Sequence, residues 1–397
     1  MSTNKFILAD FEEWDTLKPI TLTRSIADIR IGILTIKEKW ERWLLNDVGI
    51  LTQSYLQPKY ALPKGDDFIY INASIIPNEQ LIEDILSLKE NYTLVTESGL
   101  PIASFAEKVF SDPKQLIDGP IFKTKTPLDQ INHCWDIFTL NGKEIEADIR
   151  LMALDPNGEK LSFTNSVYEP DNIFIEEGSK IECSILNAQN GPIYIGKNVE
   201  IMEGCMLRGP ISIGDNSVIK MGTKIYGDTS IGPNCKIGGE ISNAVFIGNS
   251  NKAHDGYLGN SVIGEWCNLG AGTNVSNLKN NYSLVESFDF ATNDFISTGL
   301  QFSGLIMGDH SKSSINSMFN TGTVVGVCCN IFGSNFPRKH IPSFSWGGSE
   351  GFEEYIPAKA FDVATKVMGR RQITFSEIDR NILIKIFENT ASHRIIN

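Results

Sequence analysis

Histidine, positive charge, paired cysteines and long apolar runs are all scarce in this sequence, and each shortage removes a class of function. Seven cysteines, at positions 134, 183, 205, 235, 267, 328 and 329, show no C-x-x-C spacing. An odd number in a chain this long gives no disulfide framework, so small core residues in a reducing compartment are expected. Basic side chains (35) are outnumbered by acidic ones (48), for a net charge of −13, which argues against a nucleic-acid partner. No apolar run approaches a membrane span and no signal-peptide core opens the chain, so a cytoplasmic protein with no membrane partner is expected.

What is present is a beat of six. Ile195, Ile201, Leu207, Ile213, Ile219, Ile225, Ile231 and Ile237 recur at that spacing, and Gly196, Gly214, Gly232 and Gly238 each follow one of them. A period of six fits neither a helix nor a simple strand; it is the mark of a hexapeptide β-helix whose coils stack three short strands. One branched aliphatic per strand then points inward and glycines take corners. Ile175 and Ile181 begin the beat, Asn190–Pro192 interrupts it, and Ile263, Leu269 and Val275 carry it on. The coils are expected to continue to about Gly333, with a loop over Pro337–Gly348. Helices are predicted over 357–369 and 374–390, the second opened by a capping box at Thr374 and Glu377. They would cap the open end of the solenoid.

Ahead of the solenoid, the pattern alternates. A strand over 5–11, a helix opened by the capping box Thr35–Glu38 and running to about Asn46, a strand over 68–72, a helix over 79–89 and a strand over 92–96 imply a doubly wound, Rossmann-like parallel sheet. The segment 126–148 reads as mostly helical and closes this first domain. The expected division is an α/β domain over 1–165, a left-handed parallel β-helix over 166–348 and a helical cap over 349–397.

The chemistry follows the most regular part of the beat, in the stretch Asn251–Asn277. His254 stands in a step without the usual aliphatic, so that step serves something other than core. Imidazole accepts a proton near neutral pH, and a positioned base contributes on the order of 10²–10⁴-fold to a rate. Lys252-Ala-His254, Tyr257-Leu-Gly259, Asn268-Leu-Gly-Ala-Gly-Thr273 and Asn277 keep a mutual spacing that resembles the acetyltransferase half of the bifunctional N-acetylglucosamine-1-phosphate uridylyltransferase/glucosamine-1-phosphate acetyltransferase family. In detail the chain looks most like a divergent branch with a reduced N-terminal nucleotidyltransferase-like domain.

The resemblance implies acetyl transfer from acetyl-CoA to an amino-sugar phosphate on the way to UDP-N-acetylglucosamine, with His254 as base. It implies Tyr257 on the sugar phosphate, Asn268 placing the sugar near the thioester, and Ala271, with Gly272 and Thr273, at the acetyl-CoA end. Lys252, Lys224, Lys279 and Asn277 are the candidate substrate contacts; the family's basic positions otherwise fall on Ser242 and Ser283. A homotrimer with coenzyme A between neighbouring solenoids is implied in the same way. In the first domain, Leu17–Arg24 looks like a weakened form of the segment that follows the nucleotide loop of sugar-phosphate nucleotidyltransferases. The glycine-rich turn is replaced by Phe11-Glu-Glu-Trp-Asp15, and Ala73-Ser74 stands where the family places a metal-binding aspartate. Without glycines a backbone cannot closely approach a triphosphate, and a neutral hydroxyl is a poor magnesium ligand. Arg24, Asp28, Arg30 and Lys37 are candidates for an anion pocket there, and Asp10 is either a substitute metal ligand or a turn residue. Mg2+ is expected only if this site is active, with a nucleotide or nucleotide sugar as further partner. The alternatives are a bifunctional enzyme that also transfers a nucleotidyl group and a non-catalytic trimeric scaffold or sugar-nucleotide sensor. A hexapeptide carbonic anhydrase is disfavoured, because only His254 and His310 fall in the expected coils and three imidazoles are needed.

Overall fold

A computed structural model describes residues 5–106, 120–155, 158 and 161–394. The chain forms two compact units: Met1–Leu17, Thr23–Ile29 and Leu34–His133 make the first, and Lys18–Leu22, Arg30–Ile33 and Cys134–Asn397 the second.

In the first unit six strands make one sheet in the order Val48–Leu51, Lys5–Ala9, Phe68–Asn72, Pro101–Ala106, Thr93–Thr96, Ile121–Thr124. The sheet is mixed, which corrects the expectation of an all-parallel one. Lys5–Ala9 runs parallel to both neighbours, but Pro101–Ala106 is antiparallel to the strands on either side of it. The reason is local. Gly99, at φ +94°, and a bond from the Thr96 amide to the Leu100 carbonyl at 2.9 Å close a tight turn after Thr96. A turn that short can join only antiparallel strands. The helix Ile36–Leu44 opens on the expected capping box, the Glu38 amide on Thr35 Oγ1 at 3.2 Å and the Thr35 amide on Glu38 Oε2 at 2.6 Å. It buries Ile36 and Trp40, and the helix Glu79–Leu86 buries Leu81, Ile82 and Ile85.

The second unit is a parallel β-solenoid. All eight residues of the six-spaced run are at most 2% exposed. They stack in three columns, as the register Ile195, Ile213, Ile231, Phe246, Ile263 shows for the first of them. After Ile237 the inward positions are Ile241, Phe246, Lys252, Leu258 and Ile263, so two coils are shortened at their corners and the beat is masked. Between Val275 and Met307 an excursion carries the antiparallel hairpin Glu286–Asp289/Asp294–Ser297. The solenoid also runs on past Gly333. His340–Ile341 and Ser345–Gly348 continue two of its ladders, and Gly351–Glu354 folds back on the last strand. Half of the expected exit loop, His340–Ile341 and Ser345–Gly348, is therefore strand.

One corner of the coil is left-handed throughout. Asn198, Asn216, Asn234 and Asn249 hold φ between 54° and 59°, and from there Trp266, His310, Cys328 and Phe344 occupy the same corner. Asparagine tolerates that region, whereas bulky side chains are strained in it. Packing compensates here: Trp266 stacks over His310 at 6.2 Å, and Phe344, fully buried, meets Phe361 and Phe387 edge-on. Those two rings come from the helices Pro357–Gly369 and Glu377–Asn389, which cover the end of the solenoid. The second helix is capped by Ser376 with Asp379, two residues beyond the expected Thr374 and Glu377.

The helix Cys134–Met152 lies on the solenoid. Asn141 Oδ1 accepts from the Gly32 amide at 2.8 Å and from Ser230 Oγ at 2.9 Å, and its Nδ2 donates to the Asp228 carbonyl at 2.8 Å. By these contacts the helix belongs with the coils, while residues 126–133 of the expected segment stay with the first unit. Among the described residues no helix is long and apolar enough to cross a membrane.

Candidate active site

The stretch singled out by sequence folds into two successive coils. Asn251–Lys252 pairs with Asn268–Leu269, and Tyr257–Ile263 pairs with Glu240–Phe246. His254 lies in the corner that joins Lys252 to Tyr257 and is exposed. One coil further on, the corresponding corner contains Ala271 and Gly272. The Gly272 amide donates to the Asp255 carbonyl at 3.0 Å, and the Ala271 carbonyl accepts from the Asn316 amide at 2.7 Å. The histidine corner and the Ala271 turn are thus stacked directly on one another.

On the adjoining face, Asn277 Nδ2 donates to Tyr257 Oη at 3.0 Å and to Asn260 Oδ1 at 2.8 Å, while the Tyr257 amide donates to Asn274 Oδ1 at 2.9 Å. Gly259 makes this possible, because a Cβ there would sit 2.3 Å from Tyr257 Oη and 2.7 Å from Asn277 Nδ2. Burial raises the Tyr257 hydroxyl above its ordinary pKa, and the Asn277 bond works against that shift. Lys224 lies in the same lateral row through Glu240, which faces Tyr257 in register and pairs with Lys224 Nζ at 3.7 Å. Lys279 is held locally, its Nζ on the Leu284 carbonyl at 2.7 Å. Asn268 is exposed on the other face, with Asn251 Nδ2 3.5 Å from its Oδ1. Arg371, from the segment after the helix Pro357–Gly369, donates to Asn251 Oδ1 at 3.0 Å. Sequence reasoning missed Arg371, since its position 120 residues downstream carries no periodic signal.

Two expected site residues are placed elsewhere. Lys252, read as a phosphate contact, points into the coil: it holds the column position between Ile237 and Leu269 and is 1% exposed. The missing aliphatic is thus at Lys252, and His254 is beside it on the corner. Thr273 is also internal, its hydroxyl bonding the Gly270 carbonyl at 2.7 Å and Ser313 Oγ at 3.0 Å, so its side chain does not line a cofactor groove.

In the first unit, Asp10 is fully occupied. Its Oδ1 accepts from Ser25 Oγ at 2.8 Å and the Ile26 amide at 3.0 Å, and its Oδ2 from Thr52 Oγ1 at 2.5 Å. Burial pushes its pKa up to about 7. These three bonds tie Asp10 to the neighbouring turns, as expected of a turn residue. Ser74 Oγ donates to Asn72 Oδ1 at 2.8 Å and accepts from Gln130 Nε2 at 2.9 Å. Where the glycine-rich turn is missing, Glu13 Oε1 accepts from Gln130 Nε2 at 2.7 Å, and burial raises the acid's pKa. These residues do not fit a magnesium ion with a polyphosphate. Arg24 is buried, Lys37 pairs with Glu41 at 3.0 Å on its own helix, and Arg30 Nε donates to the Ile247 carbonyl of the solenoid at 3.3 Å.

Sequence comparison finds matches for both the sheet-bearing unit and the hexapeptide solenoid. Residues 6–156 match the sugar nucleotidyl transferase family, and residues 192–225 match the bacterial transferase hexapeptide repeats. The chain is similar to the bifunctional sugar-1-phosphate nucleotidylyltransferase/acetyltransferase of Sulfurisphaera tokodaii, 27% identical over 77% of this chain and 84% of that one. It is also similar to the bifunctional protein GlmU of Methanocaldococcus jannaschii, 32% identical over 26% of this chain and 25% of that one. Among solved structures, the UDP-N-acetylglucosamine acyltransferase of Francisella novicida is 15% identical over 57% of this chain and 87% of that one, with a TM-score of 0.27.

Proposed function

We propose that the protein transfers the acetyl group of acetyl-CoA to the amine of an amino-sugar phosphate of the glucosamine-1-phosphate type, in nucleotide-sugar biosynthesis. The observation that carries this is the juxtaposition of the exposed His254 corner, the stacked Ala271–Gly272 turn and the Tyr257–Asn277 pair at 3.0 Å. His254 takes a proton from the acceptor ammonium, the free amine attacks the thioester carbonyl, a C–N bond forms, the C–S bond breaks, and the leaving thiolate takes up the second proton lost by the attacking nitrogen to depart as the thiol. Backbone amides of a rigid coil are pre-aimed at a developing oxyanion, which is how such sites stabilise charge at little reorganisation cost; the Ala271 turn is assigned that end. Tyr257, Asn277 and Lys224 serve the sugar phosphate, and Asn268 the sugar. The working form is a cytoplasmic homotrimer with coenzyme A between neighbouring solenoids.

A second reading, that the first unit also transfers a nucleotidyl group, is favoured by the match over residues 6–156. The bonding of Asp10, Ser74 and Glu13 weighs against it. Release of free thiol from acetyl-CoA, with and without glucosamine-1-phosphate, tests the main reading in the intact protein and in His254→Ala. Acceptor-dependent release that falls on the order of 10²–10⁴-fold in the variant is expected. No release with this or other amino sugars would sink the assignment in favour of a scaffold or sensor. Pyrophosphate release from UTP or dTTP with a sugar-1-phosphate tests the second.

A further inference from the structure

We propose that Lys252, buried inside the solenoid, is the positioning residue that holds the His254 corner in its reactive shape. The inference rests on the acetyltransfer reading above. In every earlier coil the second column is aliphatic: Ile201, Ile219 and Ile237 stack in register, and the next residue in line is Lys252, followed by Leu269. An ammonium at 1% exposure in an aliphatic column is costly unless its donors are used.

Here they are used on the corner. Nζ donates to the His254 carbonyl at 2.9 Å and, across to the preceding coil, to the Gly238 carbonyl at 3.2 Å. The main chain is shaped around it. Gly239, at φ +83°, has no side chain, and a Cβ there would lie 3.0 Å from Lys252 Nζ, 3.0 Å from the His254 carbonyl and 2.6 Å from the Gly256 carbonyl. Two left-handed glycines, 239 and 256, thus bring carbonyls from both coils to one cation, which ties the histidine's own peptide to the coil beneath it. Burial lowers the Lys252 pKa to about 8, while Asp255 next to the histidine acts in the opposite direction. Charge in this place disfavours folding, and its ammonium joins the His254 corner to the preceding coil.

Lys252→Met keeps the length and apolar stem without the charge, and Lys252→Ile restores the column's aliphatic; having both guards against one failing to fold. Steady-state acetyl transfer and thermal unfolding are measured for both beside wild type and His254→Ala. The expected result is an unchanged or raised melting temperature, kcat lowered 10- to 100-fold, and KM for acetyl-CoA and acceptor within twofold of wild type. A stable Met or Ile variant with wild-type kcat overturns the positioning role and leaves the acetyltransfer reading standing. Inactive wild type would remove that reading, and this proposal with it. A lower melting temperature with kcat lowered and both KM values raised overturns it as well, marking the lysine as structural only.

Discussion

Asp10 offers a test of how a buried acid in the first unit is held. Its carboxyl is 2% exposed, and burial lifts its pKa from 3.8 to about 7 against the bonds from Thr52, Ser25 and Ile26. A group whose folded pKa is raised binds protons more tightly when folded, so it costs stability as pH rises from 3.8 to about 7 and the cost is complete above that. One pKa unit is about 1.4 kcal/mol. Between pH 5 and pH 8 the folded carboxyl therefore loses roughly 3 kcal/mol relative to the unfolded chain, from the two units that separate pH 5 from its folded pKa. Asp10→Asn removes the ionisation while its amide oxygen still accepts from Ser25 Oγ and the Ile26 amide, and the Thr52 hydroxyl can rotate to accept from the new NH2. Urea unfolding of both proteins at pH 5 and pH 8 should show the advantage of the variant growing by about 3 kcal/mol between them. A difference that is the same at both pH values refutes the argument, because a pH-independent change reports hydrogen bonding alone and not a raised acid.

Gly259→Ala places a methyl group 2.3 Å from Tyr257 Oη and 2.7 Å from Asn277 Nδ2. It should part that pair and raise KM for the acceptor roughly tenfold, about 1.4 kcal/mol of binding, with KM for acetyl-CoA unchanged in the same thiol-release assay. Phe344→Ala removes a fully buried ring that Phe361 and Phe387 pack against. Denaturant unfolding should show about 3–5 kcal/mol lost.

The solenoid was legible because one physical requirement, an inward aliphatic on every short strand, repeats without exception from Ile195 to Ile237. The capping box at Thr35 and the helix over Pro357–Gly369 were legible for similar reasons, each being fixed by a few adjacent residues. The mixed sheet was not, because a hairpin after Thr96 depends on turn geometry that Glu97-Ser-Gly-Leu100 signals only weakly beside a strong strand and helix alternation. The last coil was missed because its inward positions pass to Ile341 and Gly347, which do not keep a count of six from Ile331.

The break in the repeat lies at Lys252 and not at His254. Reading the beat from Ile237 straight to Ile263 places no core residue on His254 and makes the histidine look like the substitute for an aliphatic. With the two shortened corners restored, the count lands on Lys252 and Leu258, and the histidine falls two residues beyond the core position. That changes the meaning of the break. A solenoid can present a side chain on its surface without altering its interior, so a lone exposed histidine needs no sacrifice of core. A lysine in the column with its ammonium on the histidine's own carbonyl does alter the interior. The departure from the repeat therefore lies beneath the candidate catalytic group, in the residue that fixes its main chain.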